Sequence, residues 1–151
     1  MKRYVSLTAV CLLFILFSCS NLVRAPEVNI YSITPDNFVA TTTTGAVSVS
    51  VNVENNVEAR LLKVVFRFLK SDGSSITGVN NVTRYFNSVI PATGSNYSIL
   101  NAYAIPTAEI HTYMTNNPNE DIILDIHLYG EDAMGYEKEW DCSGSVSVVI
   151  E

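Results

Sequence analysis

The sequence predicts an all-β protein, an antiparallel β-sandwich carrying at most one short helix. Three observations lead there. Apolar and polar residues alternate in several stretches, most strictly in "AVSVSVNVE"; turn-forming residues separate these stretches at intervals of roughly ten to twenty residues; and neither long helical periodicity nor a glycine-rich phosphate loop interrupts them.

The chain opens on a segment of another kind. A short basic start, "MKRY", leads into an apolar run that stops at Ser18-Cys19-Ser20. The run is too short to cross ~30 Å of hydrocarbon as a helix. A basic start, a short apolar stretch and small residues at its end describe a secretory signal peptide over residues 1–18. Leu16-Phe17-Ser18-Cys19 resembles the bacterial lipobox, in which a leucine three places before the cysteine and a small residue just before it guide lipidation and cleavage. Phe17 is bulkier than the residue many lipoboxes carry there. The resemblance implies that Cys19 becomes the first mature residue and carries a diacylglyceryl group, with residues 19–26 as lipidated cysteine and tether. It also implies a bacterial cell-envelope protein held outside the cytoplasm by a membrane lipid anchor. Ser20 resembles the signal that permits outer-membrane sorting where a cell has two membranes. An ordinary signal peptide cut near Ser18 or Ser20, or an uncleaved anchor, remains open; all three put the rest of the chain outside the cytoplasm.

The strands then follow in order. Pro26 blocks helix just before Val28, Ile30 and Ile33 begin an alternation. "TPDNFVATTTTGA" reads as a connection rich in turn formers. Val47, Val49, Val51 and Val53 share one side of the next strand, against Ser48, Ser50 and Asn52. Val64, Phe66 and Phe68 oppose Val65, Arg67 and Leu69, and the stretch ends at a tight-turn signal, Asp72-Gly73. Pro91 and Gly94 break the Asn-, Ser- and Tyr-rich middle into two strands, at about 82–90 and 96–103. In "IPTAEIHTYMTNNPNE", Thr107 as cap or Pro106 in a first turn, with Ile110, Tyr113 and Met114 at helical spacing, predicts a short helix that acts as a packing device.

The end of the chain carries the fold. Ile122, Leu124, Ile126 and Leu128 share a face opposite Ile123, Asp125, His127 and Tyr129; after "GEDAMG", Trp140, Cys142, Val146, Val148 and Ile150 again share parity. "LDIHLYGEDAMGYEKEW" running into "SGSVSVVI" resembles the closing hairpin of bacterial immunoglobulin-like and fibronectin type III-like domains, where an apolar strand leads into an Asp-x-x-Gly turn and a Val-rich last strand. The likeness covers residues 121–151, and the strand pair within 47–69 agrees with it. It implies an immunoglobulin-like β-sandwich domain over residues 27–151, used as a spacer, adhesin or binding platform, among which fold does not choose. The chain departs from antibody-type domains in lacking an inter-sheet cysteine pair, so its core has to rest on packing alone.

Composition narrows the function. Removing residues 1–18 leaves roughly 130 of 151 residues, enough for one domain with a substantial core. The formal net charge of −6 becomes about −8 once Lys2 and Arg3 are gone, which repels nucleic acid and anionic lipid surfaces. Cys11 would be discarded with the leader and Cys19 lipidated, leaving Cys142 alone; only an unlipidated Cys19 could pair with it.

No catalytic site is expected. Only His111 and His127 are available as bases, no Gly-x-Ser-x-Gly elbow is present, and His127 alternates with the apolar face of its strand and so points outward. Acids gather late in the chain, but Glu131 and Asp132 lie a strand's length from Asp121 and no EF-hand spacing occurs, so a solvated acidic face is expected in place of a calcium or other metal site. No cofactor is implied. Trp140 has core parity. Tyr85, Tyr97 and Tyr103 are the candidate ligand-facing residues, because tyrosines joining an apolar ring to a polar tip suit glycan or protein contacts when they emerge on one face. The expected function is therefore a lipid-anchored envelope protein with a non-enzymatic binding or structural module, its protein or glycan partner open; a glycan- or calcium-binding receptor domain is the alternative.

Overall fold

The computed structural model describes residues 24–92 and 94–151; the leader, Cys19 and residues 20–23 of the tether lie outside the described residues. Eight strands and one helix follow in the order β1 (Val28–Thr34), β2 (Asn37–Ala40), β3 (Thr44–Val53), β4 (Ala59–Lys70), β5 (Val82–Ile90), β6 (Tyr97–Pro106), α1 (Ala108–Asn116), β7 (Ile122–Asp132) and β8 (Glu139–Ile150). They form two sheets, a three-stranded one ordered β1-β3-β6 and a five-stranded one ordered β2-β8-β7-β4-β5. Among the described residues the protein is all-β with one short helix, as the alternation predicts.

Two details differ from the sequence expectation. Residues 34–46, expected as a connection, contain β2, whose Phe38 and Ala40 are fully buried. Its polar and threonine-rich flanks conceal a strand of only four residues. The sandwich is also not wholly antiparallel, because β2 pairs in parallel with β8. The chain changes sheets between β1 and β2, at a cis Thr34-Pro35 peptide bond.

The core lies between the sheets. Val47, Val49, Val51 and Val53 of β3 face Leu61, Val64, Phe66 and Phe68 of β4 and Ile122, Leu124, Ile126 and Leu128 of β7, all buried. Each such side chain contributes roughly 1.5–3 kcal/mol on leaving water. Phe66 of β4 stacks on Tyr103 of β6 with centroids 5.8 Å apart, tying the two sheets together, and Phe38 packs on Phe68 at 6.0 Å within the five-stranded sheet. In β4 the inward parity switches from Ala59 and Leu61 to Val64, Phe66 and Phe68 because the register shifts between Leu61 and Lys63. This bulge turns both Leu62 and Lys63 away from the core.

Helix α1 closes one end by inserting Ile110 and Met114. Pro106 ends β6 and does not begin the helix. Thr107 is the residue before the helix but makes no side-chain cap; its Oγ1 donates to the Thr41 carbonyl at 2.8 Å and its N–H donates to the Thr43 carbonyl at 3.0 Å, so it fastens helix to sheet. Further along, Tyr113 Oη donates to Glu120 Oε2 at 2.6 Å, and Lys70 Nζ pairs with the same carboxylate at 3.0 Å. At the opposite end the body starts before the first strand: Asn55 Nδ2 donates to the Ala25 carbonyl at 2.6 Å, its Oδ1 accepts from the Glu27 N–H, and Pro26 is buried.

These polar ties set a pH dependence. The Tyr113 hydroxyl and then Lys70 hold Glu120 below the usual carboxylate range, and the Ser74 hydroxyl and N–H do the same for Asp72. Burial opposes ionisation of Asp132, but the N–H groups of Lys138, Tyr136 and Met134 outweigh it and hold its carboxyl low as well. Depressed carboxylates stabilise above their unfolded values and lose that contribution as pH falls through the folded ones. Lys70, raised chiefly by its bond to Glu120, acts in the opposite sense and loses its contribution only as pH rises beyond the ordinary lysine value. Cys142, whose thiol burial pushes up to about 12, stays protonated in the fold while an unfolded thiol ionises near pH 9, so it subtracts stability above that pH. Urea midpoints measured across pH should therefore be level between about pH 5 and 8 and fall on the acid side below about pH 4. A midpoint that rises on acidification would contradict the assignment.

Candidate functional site: the outer face of the five-stranded sheet

The five-stranded sheet packs one face on the core and leaves the other uncovered, as antiparallel sheets often do. Strand register sets what that face carries. Lys63 of β4 lies between Tyr85 of β5 and Tyr129 of β7, and Tyr129 lies opposite Asp141 of β8. One row across four strands thus reads Tyr85, Lys63, Tyr129, Asp141. The adjacent row toward the β7–β8 turn places Arg60 beside Glu131 and Glu131 beside Glu139; on the other side His127 and then Asp125 follow along β7, with Arg67 opposite Asp125.

The side chains in the middle of this face hold one another. Arg67 donates through Nε to Asp125 Oδ2 at 2.8 Å and pairs with it through Nη2 at 2.7 Å. The same Nη2 lies 3.4 Å from His127 Nδ1, and His127 Nε2 lies 2.8 Å from Asp141 Oδ2. The His127 ring stacks on Tyr129 at 4.3 Å, and Lys63 Nζ sits over the Tyr129 ring at 4.1 Å. Each half-exposed ion pair contributes about 1 kcal/mol or less, and the cation over the ring a similar amount. Their joint effect is geometric, because each long side chain has one place to be. Arg60 reaches Glu131 at 3.5 Å, while its Nε is buried without a partner.

Beside Tyr129 the sheet surface dips into a cleft of about 900 Å³. Leu62, Tyr85, Gly130, Glu139, Trp140 and Asp141 are among the residues that line it. Trp140 is buried, as its parity predicts, and its Nε1 donates to the Glu131 carbonyl at 3.0 Å.

The tyrosines singled out from sequence do not share a surface. Tyr85 stands on the five-stranded sheet with 82% of its area exposed. Tyr97 and Tyr103 are on β6 of the other sheet; Tyr97 is 38% exposed, and Tyr103 is half-buried between Phe66 and Phe86. Tyr129, Lys63, Glu139 and Asp141 are the partners that sequence analysis did not assign to Tyr85. Outward parity on each strand identifies them singly, but only the pairing register brings them into one row.

The other sequence candidates fall elsewhere. His111 lies on α1, its carbonyl accepting from Thr115 Oγ1. Asp132 is buried and belongs to the β7–β8 turn. Among the described residues, no group of three or more His, Cys, Asp or Glu side chains is placed to hold a metal ion, and no helix is long and apolar enough to cross a membrane. Cys142 has no disulfide partner among the described residues; burial, and then the charge of Asp141, push its thiol up to about 12, so it is not a reactive thiolate. Neither the models of known protein families nor the curated proteins give a match to this chain.

Proposed function

We propose that this chain is a lipid-anchored protein of the bacterial cell envelope, attached through Cys19, whose body is an immunoglobulin-like module that binds a partner and catalyses nothing. The observation that carries the module is the strand order. One sheet is β1-β3-β6, the other β2-β8-β7-β4-β5, and the chain's first stretch of strand is divided between them so that β2 runs beside the last strand. Variable-type immunoglobulin sandwiches likewise enlarge the sheet that holds the central and last strands. Trp140 on the last strand departs from the antibody pattern, which buries its tryptophan on an earlier one.

Binding through the five-stranded sheet is supported by its uncovered, internally braced outer face. A non-catalytic role is supported by His127, whose two ring nitrogens are engaged by Arg67 and Asp141, so neither is free to take a proton from a nucleophile. The anchor is supported by Leu16-Phe17-Ser18-Cys19 and by the position of Ala25, already fastened to Asn55, which leaves residues 20–24 as a short tether. Two or more acyl chains hold a protein stably at a membrane without a spanning helix.

Intact-mass analysis of membrane-purified protein tests the anchor. The expected mass is residues 19–151 plus a lipidated cysteine, and Cys19→Ala should move the protein out of the tightly bound membrane fraction. A plain cleaved mass, or membrane association unaffected by the substitution, rules the anchor out.

A further inference from the structure

We propose that the cleft bounded by Tyr85, Lys63, Tyr129, Glu139 and Asp141 binds a neutral oligosaccharide, with Tyr85 as the platform for a sugar ring. This rests on the outer sheet face being the binding face, and it names the ligand class for that face.

The chemistry follows from what each group has left to offer. Tyr129 has its ring faces occupied, by Lys63 on one contact and His127 on the other, so it presents its edge and hydroxyl. Tyr85 is held differently: it stands on the edge strand, is 82% exposed, and among the described residues its ring packs on no other aromatic side chain. Such a ring offers an apolar face of the size of a pyranose, against which axial C–H groups can lie while the hydroxyls stay at the rim. Adjacent strands are about 4.8 Å apart, so Tyr85 and Tyr129, separated by the Lys63 strand, stand about 10 Å apart across the cleft. That spacing suits two successive sugar units.

Polar groups then select the ligand. Glu131, Glu139 and Asp141 supply acceptors for hydroxyl protons, and Lys63 keeps donors for ring or hydroxyl oxygens. A polyanion would meet three carboxylates, of which Glu139 has no cationic partner within ion-pair distance among the described residues. An apolar ligand would bury those carboxylates and Lys63 without replacing their water. A neutral polyhydroxyl ligand satisfies donors and acceptors together. The volume of about 900 Å³ lies within the range of small-ligand sites. All of these side chains stand on strands, and Lys63, Tyr129, His127 and Asp141 are already braced, so little order has to be gained on binding.

The chain has a single tryptophan, Trp140, and it lines the cleft, so its fluorescence can follow binding there. The full chain should be titrated with cellohexaose, maltohexaose, xylohexaose and N-acetylchitohexaose, and with a sulfated polysaccharide for comparison. The expected result is a saturable change with at least one neutral sugar, weakened about tenfold or more by Tyr85→Ala, which removes the platform from an exposed position and leaves the fold intact. Tyr97→Ala, on the other sheet, should leave the titration unchanged. The proposal is overturned if no neutral sugar gives a saturable response, if the response survives Tyr85→Ala, or if only the sulfated polymer binds. Lipidation at Cys19 does not enter this measurement, so a plain cleaved mass would remove the anchor alone, and a lipidated chain that ignores sugars would remove this inference alone.

Discussion

Gly130→Ala is expected to be the most damaging single-methyl change in the protein, costing about 3 kcal/mol or more and lowering the melting temperature by roughly 10 °C. A Cβ at position 130 would be driven into the Arg60 carbonyl oxygen and the Trp140 indole ring. The first of these is backbone of the neighbouring strand, which cannot turn aside, and the second is fixed by its bond to the Glu131 carbonyl. The strand pair β4–β7 would have to separate at the bulge. Gly144→Ala is the control: its added methyl meets Ile33 Cδ1 at 3.0 Å and Ile30 Cδ1 at 3.2 Å, the movable ends of side chains, so its cost should be about 1 kcal/mol or less. Urea denaturation of the pair decides the matter, and equal midpoints would mean that β4 and Trp140 do not approach Gly130 so closely.

Asp132→Ala should come next, at about 3 kcal/mol. Its carboxylate is buried and satisfies three backbone donors of the β7–β8 turn: Oδ1 accepts from the N–H of Met134 and of Tyr136, both at 3.0 Å, and Oδ2 from that of Lys138 at 2.9 Å. Removing the acceptor strands all three, and hydrogen bonds to a charged group are worth about 1.5–3 kcal/mol each before the turn relaxes toward water. Asp132→Asn keeps the oxygen that serves Met134 and Tyr136 and loses the one that serves Lys138, so it should cost about half as much. Thermal melts of the two variants measure this directly. Equal losses for Ala and Asn would mean that the charge, and not the number of accepted bonds, holds the turn.

How much of this was visible beforehand depends on which physical signal each element leaves. Where one strand face meets the core, as in Val47 to Val53 or Ile122 to Leu128, period-two alternation marks both the strand and its buried side. The helix was visible because Ile110 and Met114 stand one turn apart. Strand β2 was hidden because four residues give too little alternation, and its parallel partner β8 is more than a hundred residues away. The bulge at Leu61–Lys63 was equally hidden, since a shift of parity in an apolar stretch looks like a strand buried on both faces. The tyrosines show the same limit for function. Tyr85, Tyr97 and Tyr103 are alike in composition, but only sheet order separates Tyr85 from the other two and joins it to Lys63 and Tyr129.

The course of β1, β2 and β8 also gives the molecule a polarity. Val28 pairs with Val53 at one end of the sandwich, whereas Ile150 lies beside Ala40 at the other, so the chain enters and leaves at opposite poles. The twelve residues of β8 span about 40 Å between them. Were the body tethered at its entry pole, as proposed above, its C-terminal pole would lie outermost and the five-stranded face would turn sideways. Ligands would then be met laterally, in the plane of neighbouring molecules, and an epitope appended after Glu151 would be displayed at the greatest height the domain can reach.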